Sequence, residues 1–180
     1  MNRIIIITGD LASGKSTLAD SLSKVLSIPC FKKDTIKEKY CDIYGYKTRE
    51  ENRALSIMAT NYMIEAFSNF AKHDEDIILE ANFRNEELLR IKEIVDQYHY
   101  NVTLLVLRGD IDILYQRFLS RVSTRHKAHM SMHLDESVDK FKEYICSLRE
   151  EDTVFIPHII DTSYKEEKEV LDIAISYINK

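Results

Sequence analysis

Nine consecutive residues, Gly9-Asp10-Leu11-Ala12-Ser13-Gly14-Lys15-Ser16-Thr17, follow directly on the apolar run Ile4-Ile5-Ile6-Ile7. Their spacing fits G-x-x-x-x-G-K-[ST] set between a strand and a helix. Glycine at both ends lets the backbone curl with positive φ, so that N–H groups at the head of the following helix converge on an anion. Lys15 supplies a point charge for the β and γ phosphates, and the Ser16 hydroxyl is a ligand for Mg²⁺. The stretch therefore points to a nucleotide held by Gly9, Leu11, Ala12, Ser13, Gly14, Lys15, Ser16 and Thr17, with ATP and Mg²⁺ as cofactors. A phosphate loop alone leaves kinase, GTPase, motor and switch open. No N-K-x-D or T-K-x-D accompanies it to read guanine, and Asp42-Ile43-Tyr44-Gly45, which spells D-x-x-G, follows no strand. At 180 residues the chain is too small for a motor domain with its usual additions, and a compact kinase fits it better.

Other candidates lie further along. Asp34 falls just past an expected second strand, where it would accept the proton of an attacking hydroxyl or hold a Mg²⁺-bound water; the alternative is a plain cap for a helix from Thr35. Glu80 ends an expected third strand at the place of a metal-supporting carboxylate, where it would act through water or orient substrate; Asn82 and Arg84 next to it are either substrate contacts or a solvated turn. Arg117, Arg121 and Arg125 recur every four residues and would form one stripe if a single helix carried them all. Guanidinium forks suit phosphate oxygens and stack on flat rings. The pattern after this stripe loses helical period from Ser123 to His133, as a mobile lid over 122–134 would. His126, His129 and His133 share that stretch, with Asp135 close by. Contact with substrate or phosphate suits them better than a metal site.

Strand and helix patterns alternate behind these residues. Strands are expected at Arg3 to Thr8, Ile28 to Phe31, Ile77 to Glu80, Asn101 to Leu107 and Val154 to Asp161. Helical patterns follow with Leu18, Leu22 and Val25 on one face. A longer one runs from Thr48 to Lys72, with a stripe of Leu55, Met58, Tyr62, Ala66 and Phe70. Glu86 to Tyr98, a helix capped by Asp110, Asp135 to Glu150 and Lys165 to Ile178 complete the set. Strands so apolar are buried on both faces, the habit of parallel sheets covered by helices. The expectation is an α/β three-layer sandwich with about five parallel strands, one kinase-like domain over 1–180, and an acceptor region at 34–72.

Composition sets the bounds. Hydrophobic residues make up 44% and charged residues 31%, with four glycines and two prolines, which fits a globular chain without long linkers. The net charge of -5 argues against a nonspecific nucleic-acid binder. Cys30, Cys41 and Cys146 are an odd number without C-x-x-C spacing, so neither a disulfide framework nor a zinc ribbon is expected. No signal segment or membrane-length apolar run is read, and the chain reads as cytoplasmic. The hydroxyl acceptor and the oligomeric state stay open.

The motifs GDLASGKST, KKDTIKE, IILEANF, LYQRFLSR with RHKAH, and IIDTS resemble, in that order, the P-loop kinases that include nucleoside monophosphate, shikimate and gluconate kinases. Closer still are small bacterial predicted kinases labelled as AAA-family ATPases, related to chloramphenicol phosphotransferase, zeta toxin and polynucleotide kinase. The resemblance implies a sheet in the order 2-3-1-4-5, a substrate region after the second strand, and a lid. It further implies that Arg117 lies against the adenine, which Asp161, Thr162 and Ser163 would border, and that Arg121 and Arg125 meet the phosphates. It makes Asp34 a general base. Glu80 departs from the usual aspartate. The activity implied is phosphoryl transfer from ATP to a hydroxyl of a small molecule. The rival readings are a 5′-hydroxyl polynucleotide or nucleotide kinase, and a nucleotide-sensing or toxin-like ATP-binding module.

Overall fold

In the computed structural model, which describes residues 2–129, 133–150 and 154–179, five strands form one sheet. They are β1 (Arg3–Gly9), β2 (Cys30–Lys32), β3 (Ile77–Glu80), β4 (Asn101–Arg108) and β5 (Pro157–Asp161). Their order is β2-β3-β1-β4-β5, and every pairing is parallel. Among the described residues seven α-helices accompany them: α1 (Lys15–Leu26), α2 (Lys33–Tyr44), α3 (Arg49–Lys72), α4 (Asn85–Tyr98), α5 (Ile111–Leu119), α6 (Val138–Arg149) and α7 (Glu167–Ile178). Among the described residues no helix is long and apolar enough to cross a membrane.

The isoleucine run explains the layering. Side chains alternate across a strand, so Ile4 and Ile6 enter the core beneath α3 and α4 with Met63, Phe67, Leu88 and Ile91. Ile5 and Ile7 enter the opposite core beneath α1 and α7 with Leu18, Leu22, Val170 and Ala174. All four are fully buried, as a central strand covered on both sides requires. The end of β1 thus opens between β3 and β4, from which the connections run off in opposite directions, the place where open α/β sheets bind ligands. A third cluster joins α5 to α6 through Leu114, Phe118, Phe141 and Ile145, with Leu11 and Ala12 packed against it.

Five expectations need correction. Val25 is exposed, and the buried face of α1 is Leu18, Ala19 and Leu22. In α3 the inward row is Leu55, Ala59, Met63, Phe67 and Ala71, whereas Met58 and Tyr62 are exposed. The helix is turned by polar residues used inside: the Thr60 hydroxyl donates to Glu87 Oε1 at 3.0 Å, and Asn52 Nδ2 to the Ala128 carbonyl at 3.1 Å. β5 starts only at Pro157 and α6 only at Val138, capped by Ser137, whose side chain accepts from the Lys140 N–H. Finally, α5 ends at Leu119, so no single helix carries the three arginines. Arg121 precedes a 3₁₀ turn, Val122–Thr124, and Arg125 follows it.

Candidate active site

The loop between β1 and α1 is held open by backbone constraints. Gly9 has φ 121°, and a Cβ there would lie 2.1 Å from the Leu107 carbonyl oxygen of the adjoining strand, so only glycine fits. Gly14 has φ 87° and caps α1. Even Ala12 has positive φ. The Asp10 carbonyl accepts from Ser13 Oγ at 2.7 Å and from Lys15 Nζ at 2.6 Å, which fixes the lysine over the loop. Lys15 is buried, and burial draws its ammonium below the ordinary value despite the nearby charges of Glu80, Asp34 and Asp10.

Glu80, at the end of β3 and buried, accepts a hydrogen bond from Ser16 Oγ at 3.1 Å. Burial raises its carboxyl above the usual range, and Lys15 opposes the rise. Asp34 is not a helix cap. Helix α2 begins straight from β2, which puts Asp34 second in its first turn, with a side chain 64% exposed that faces the cleft. Asp34 and Glu80 line the same cavity of about 680 Å³ as Lys15, Ser16, Asn82, Arg84, Arg121 and Arg125. The structure therefore brings together around one cavity residues that the sequence scatters from Lys15 to Arg125.

Arg121 also lines a second cavity of about 350 Å³, bounded by Ser13, Gly14, Thr17, Ser21, Arg117, Thr162, Lys165 and Glu167. Arg117 is fastened there, with Nη2 donating to the carbonyls of Thr162 at 3.0 Å and Ser163 at 2.8 Å. The Asp161 carboxylate turns away, accepting from Ser163 N at 2.8 Å and Ser163 Oγ at 2.6 Å, and holds the shape of this turn. The Arg125 guanidinium lies 4.9 Å from the centre of the Phe118 ring. The two cavities share Ala12, Ser13, Gly14, Thr17 and Arg121, so they adjoin at the phosphate loop.

Residues 130–132 of the expected lid lie outside the described residues. What precedes them is pinned to α2 and α3. Ala128 is fully buried, beside Cys41 and Leu55, and its carbonyl accepts from Lys37 Nζ at 2.8 Å as well as from Asn52. His129 Nε2 meets Glu38 Oε1 at 2.8 Å, and His126 Nε2 meets Asp42 Oδ1 at 3.1 Å. Asp34, Glu38 and Asp42 recur at i, i+4 and i+8 and so share one face of α2. That periodicity is a sequence signal that would have marked the partners of the histidines. Among the described residues no group of three or more His, Cys, Asp or Glu is placed to hold a metal ion.

Sequence reasoning passed over three further residues. Tyr144 of α6 lines the larger cavity and is hydrogen-bonded to the side chains of Asn82 and Arg84, with burial raising its phenol above the ordinary value. Asp10, inside the loop, is 1% exposed and is met by Arg149 from the end of α6. No motif announces Tyr144 or Arg149, because α6 reaches the site only through the packing of Phe141 and Ile145.

Residues 5–142 match the family model of the AAA domain. A shikimate kinase of Flavobacterium johnsoniae is 25% identical over 166 residues, spanning 89% of this chain and 82% of that protein. A candidate kinase from Chloroflexus aurantiacus superposes with a TM-score of 0.78 at 21% identity, covering 99% of this chain and 96% of its own. A gluconokinase from Sinorhizobium meliloti gives 0.66 at 12% identity, covering 98% and 91%. Shikimate kinase from Aquifex aeolicus gives 0.64 at 18% identity, covering 98% and 96%. The fold is that of the P-loop kinases, with the strand order 2-3-1-4-5 that the resemblance implied.

Proposed function

The chain belongs to the AAA domain family, and from that premise we propose that it is an ATP- and Mg²⁺-dependent kinase that transfers the γ-phosphoryl group to a hydroxyl of a small molecule. One observation carries the reading. Lys15 and Ser16 of the phosphate loop, the exposed carboxylate of Asp34 and the guanidinium of Arg121 line a single cavity, large enough for an acceptor beside a triphosphate end. A second cavity, lined by Arg117 and Thr162 and adjoining at the same loop, supports a separate place for the nucleoside.

In this reading the nucleoside occupies the cavity of Arg117 and Thr162, and the loop N–H groups bind the phosphates. Lys15 neutralises the β and γ oxygens, and Arg121 meets the transferring group. The acceptor oxygen attacks the γ phosphorus in line as the bond to the β–γ bridging oxygen breaks, ADP leaves with that electron pair, and the acceptor proton passes to Asp34. Asn82, Arg84 and Tyr144 hold the rest of the acceptor. The donors fit magnesium: the Ser16 hydroxyl with Glu80 behind it, and Asp34 through water, are hard oxygens. Mg²⁺ typically takes one or two carboxylates plus phosphates rather than an all-protein cage. Bound there, it would spread the charge of the β and γ oxygens.

The test is ATP consumption against a panel of sugars, nucleosides, hydroxy acids such as shikimate and gluconate, antibiotics and 5′-hydroxyl oligonucleotides. A small molecule should stimulate ADP release, and Asp34→Asn should bind ATP yet transfer at least about a hundredfold more slowly. Stimulation by oligonucleotides alone would move the reading to a polynucleotide kinase. Full transfer by Asp34→Asn would remove Asp34 as the base and leave Glu80 in its place.

A further inference from the structure

An aspartate inside a phosphate loop is electrostatically adverse, because its charge opposes the ligand that the loop exists to hold. Here Asp10 occupies the second position of the loop with its carboxylate 1% exposed. Arg149, the last residue of α6, closes on it with both arms: Nε donates to Oδ1 at 3.2 Å, and Nη2 to Oδ2 at 2.5 Å. The same Nη2 donates to the Gly109 carbonyl at 2.6 Å, and Gly109 N–H donates back to Asp10 Oδ2 at 3.1 Å. The Asp10 side chain is thereby tied to α6 and to the end of β4, while its carbonyl carries Lys15 and Ser13. Leu11 and Ala12 rest on the cluster that joins α5 to α6, so the loop is backed by α6 through apolar packing as well.

We propose that Arg149 is a positioning residue for the nucleotide, which acts through Asp10 by cancelling its charge and fixing the loop backbone that carries Lys15. The inference rests on the kinase reading only in needing a polyphosphate ligand. It gives α6 a duty beyond packing, because the helix that follows the lid also braces the cradle from behind.

Charge cancellation and mere bracing make different predictions. Arg149→Gln leaves an uncompensated carboxylate beside the phosphates, whereas Asp10→Asn removes that carboxylate. Both break the same pair and should lower melting temperature, Arg149→Gln more, because it strands the buried carboxylate. Calorimetric titration with Mg·ADP and with tripolyphosphate should show Arg149→Gln at least about tenfold weaker than wild type, a ratio set by charge repulsion within the loop. Asp10→Asn should be weakened much less, and the neutral double variant Asp10→Asn/Arg149→Gln should bind better than Arg149→Gln alone. The deficit of Arg149→Gln should also be larger for tripolyphosphate than for inorganic phosphate. If Arg149→Gln does not fold, Arg149→Lys, which keeps the charge without the fork, should be destabilised yet retain most of the affinity. Equal affinities of Asp10→Asn and Arg149→Gln, or wild-type affinity in Arg149→Gln, would overturn the proposal and leave the kinase reading intact. A wild type that binds neither ligand would overturn both.

Discussion

The Ser16 hydroxyl donates to Glu80 Oε2 at 3.1 Å, which joins the phosphate loop to the end of β3 across 64 residues of sequence. The hydroxyl that would face magnesium and the carboxylate behind it are thus already held together, one on a helix and one on a strand. Glu80→Gln keeps the shape and removes the charge. In thermal melts with ATP, the increment that Mg²⁺ adds over EDTA should shrink to less than half, because ligand-linked stabilisation follows affinity for the folded state. An unchanged increment would take Glu80 out of the metal's surroundings.

Lys15 is a buried cation whose burial works against its charge. Lys15→Met replaces it with an apolar chain of similar length, and Ser13 Oγ still donates to the Asp10 carbonyl. The unliganded variant should remain folded, since burial already works against the Lys15 charge and the Asp10 carbonyl keeps a donor. Its ATP-induced shift should nearly vanish. An equal ATP shift in wild type and variant would refute the role of the loop.

The arginines should separate into two effects. Arg117 is fastened to the turn after β5, so Arg117→Ala should weaken nucleotide binding and change turnover little at saturating ATP. Arg121 lines both cavities, and Arg121→Ala should lower turnover by roughly a hundred- to thousandfold, the loss typical of a transition-state donor. Steady-state kinetics with the acceptor found in the panel will separate KM from kcat. Wild-type behaviour of both would reduce the arginines to a solvated surface.

Cys30 lies beside the site in β2, and burial, helped by Glu80 and Asp20, pushes its thiol up to about 12. Only the thiolate is nucleophilic, so at pH 8 roughly one molecule in ten thousand would present it. Iodoacetamide should label Cys30 in the folded protein far more slowly than a free thiol peptide, with a rate still rising tenfold per pH unit at pH 9. A rate that levels off below pH 9 would contradict this.

The sequence by itself determined the sheet and its phosphate loop. Ile4 to Ile7 are apolar at every position, which only a strand covered on both faces tolerates, and two glycines at fixed spacing meet a steric need now visible as the contact of Gly9 with Leu107. β3 and the buried face of α4, with Leu88, Ile91 and Val95, fell where local pattern placed them. Local pattern also put Asp34 and Glu80 at strand ends, and parallel strands all deliver their ends to one edge.

Tertiary structure alone decided which face each ambiguous helix buries and which distant side chains meet. Helix α3 has apolar residues on more than one face. The face that buries Ala59 and Met63 rather than Met58 and Tyr62 is also the one on which Asn52 and Thr60 bond across to Ala128 and Glu87. The arginine stripe dissolved because α5 stops at Leu119, where the chain turns to set Ala128 between α2 and α3. Arg149 meets Asp10 across 139 residues, and Tyr144 reaches Asn82 from the same helix, with no motif to mark either. Such contacts depend on how one packed layer is rotated against another, and hydrophobic period fixes that a helix is buried long before it fixes the angle at which it lies.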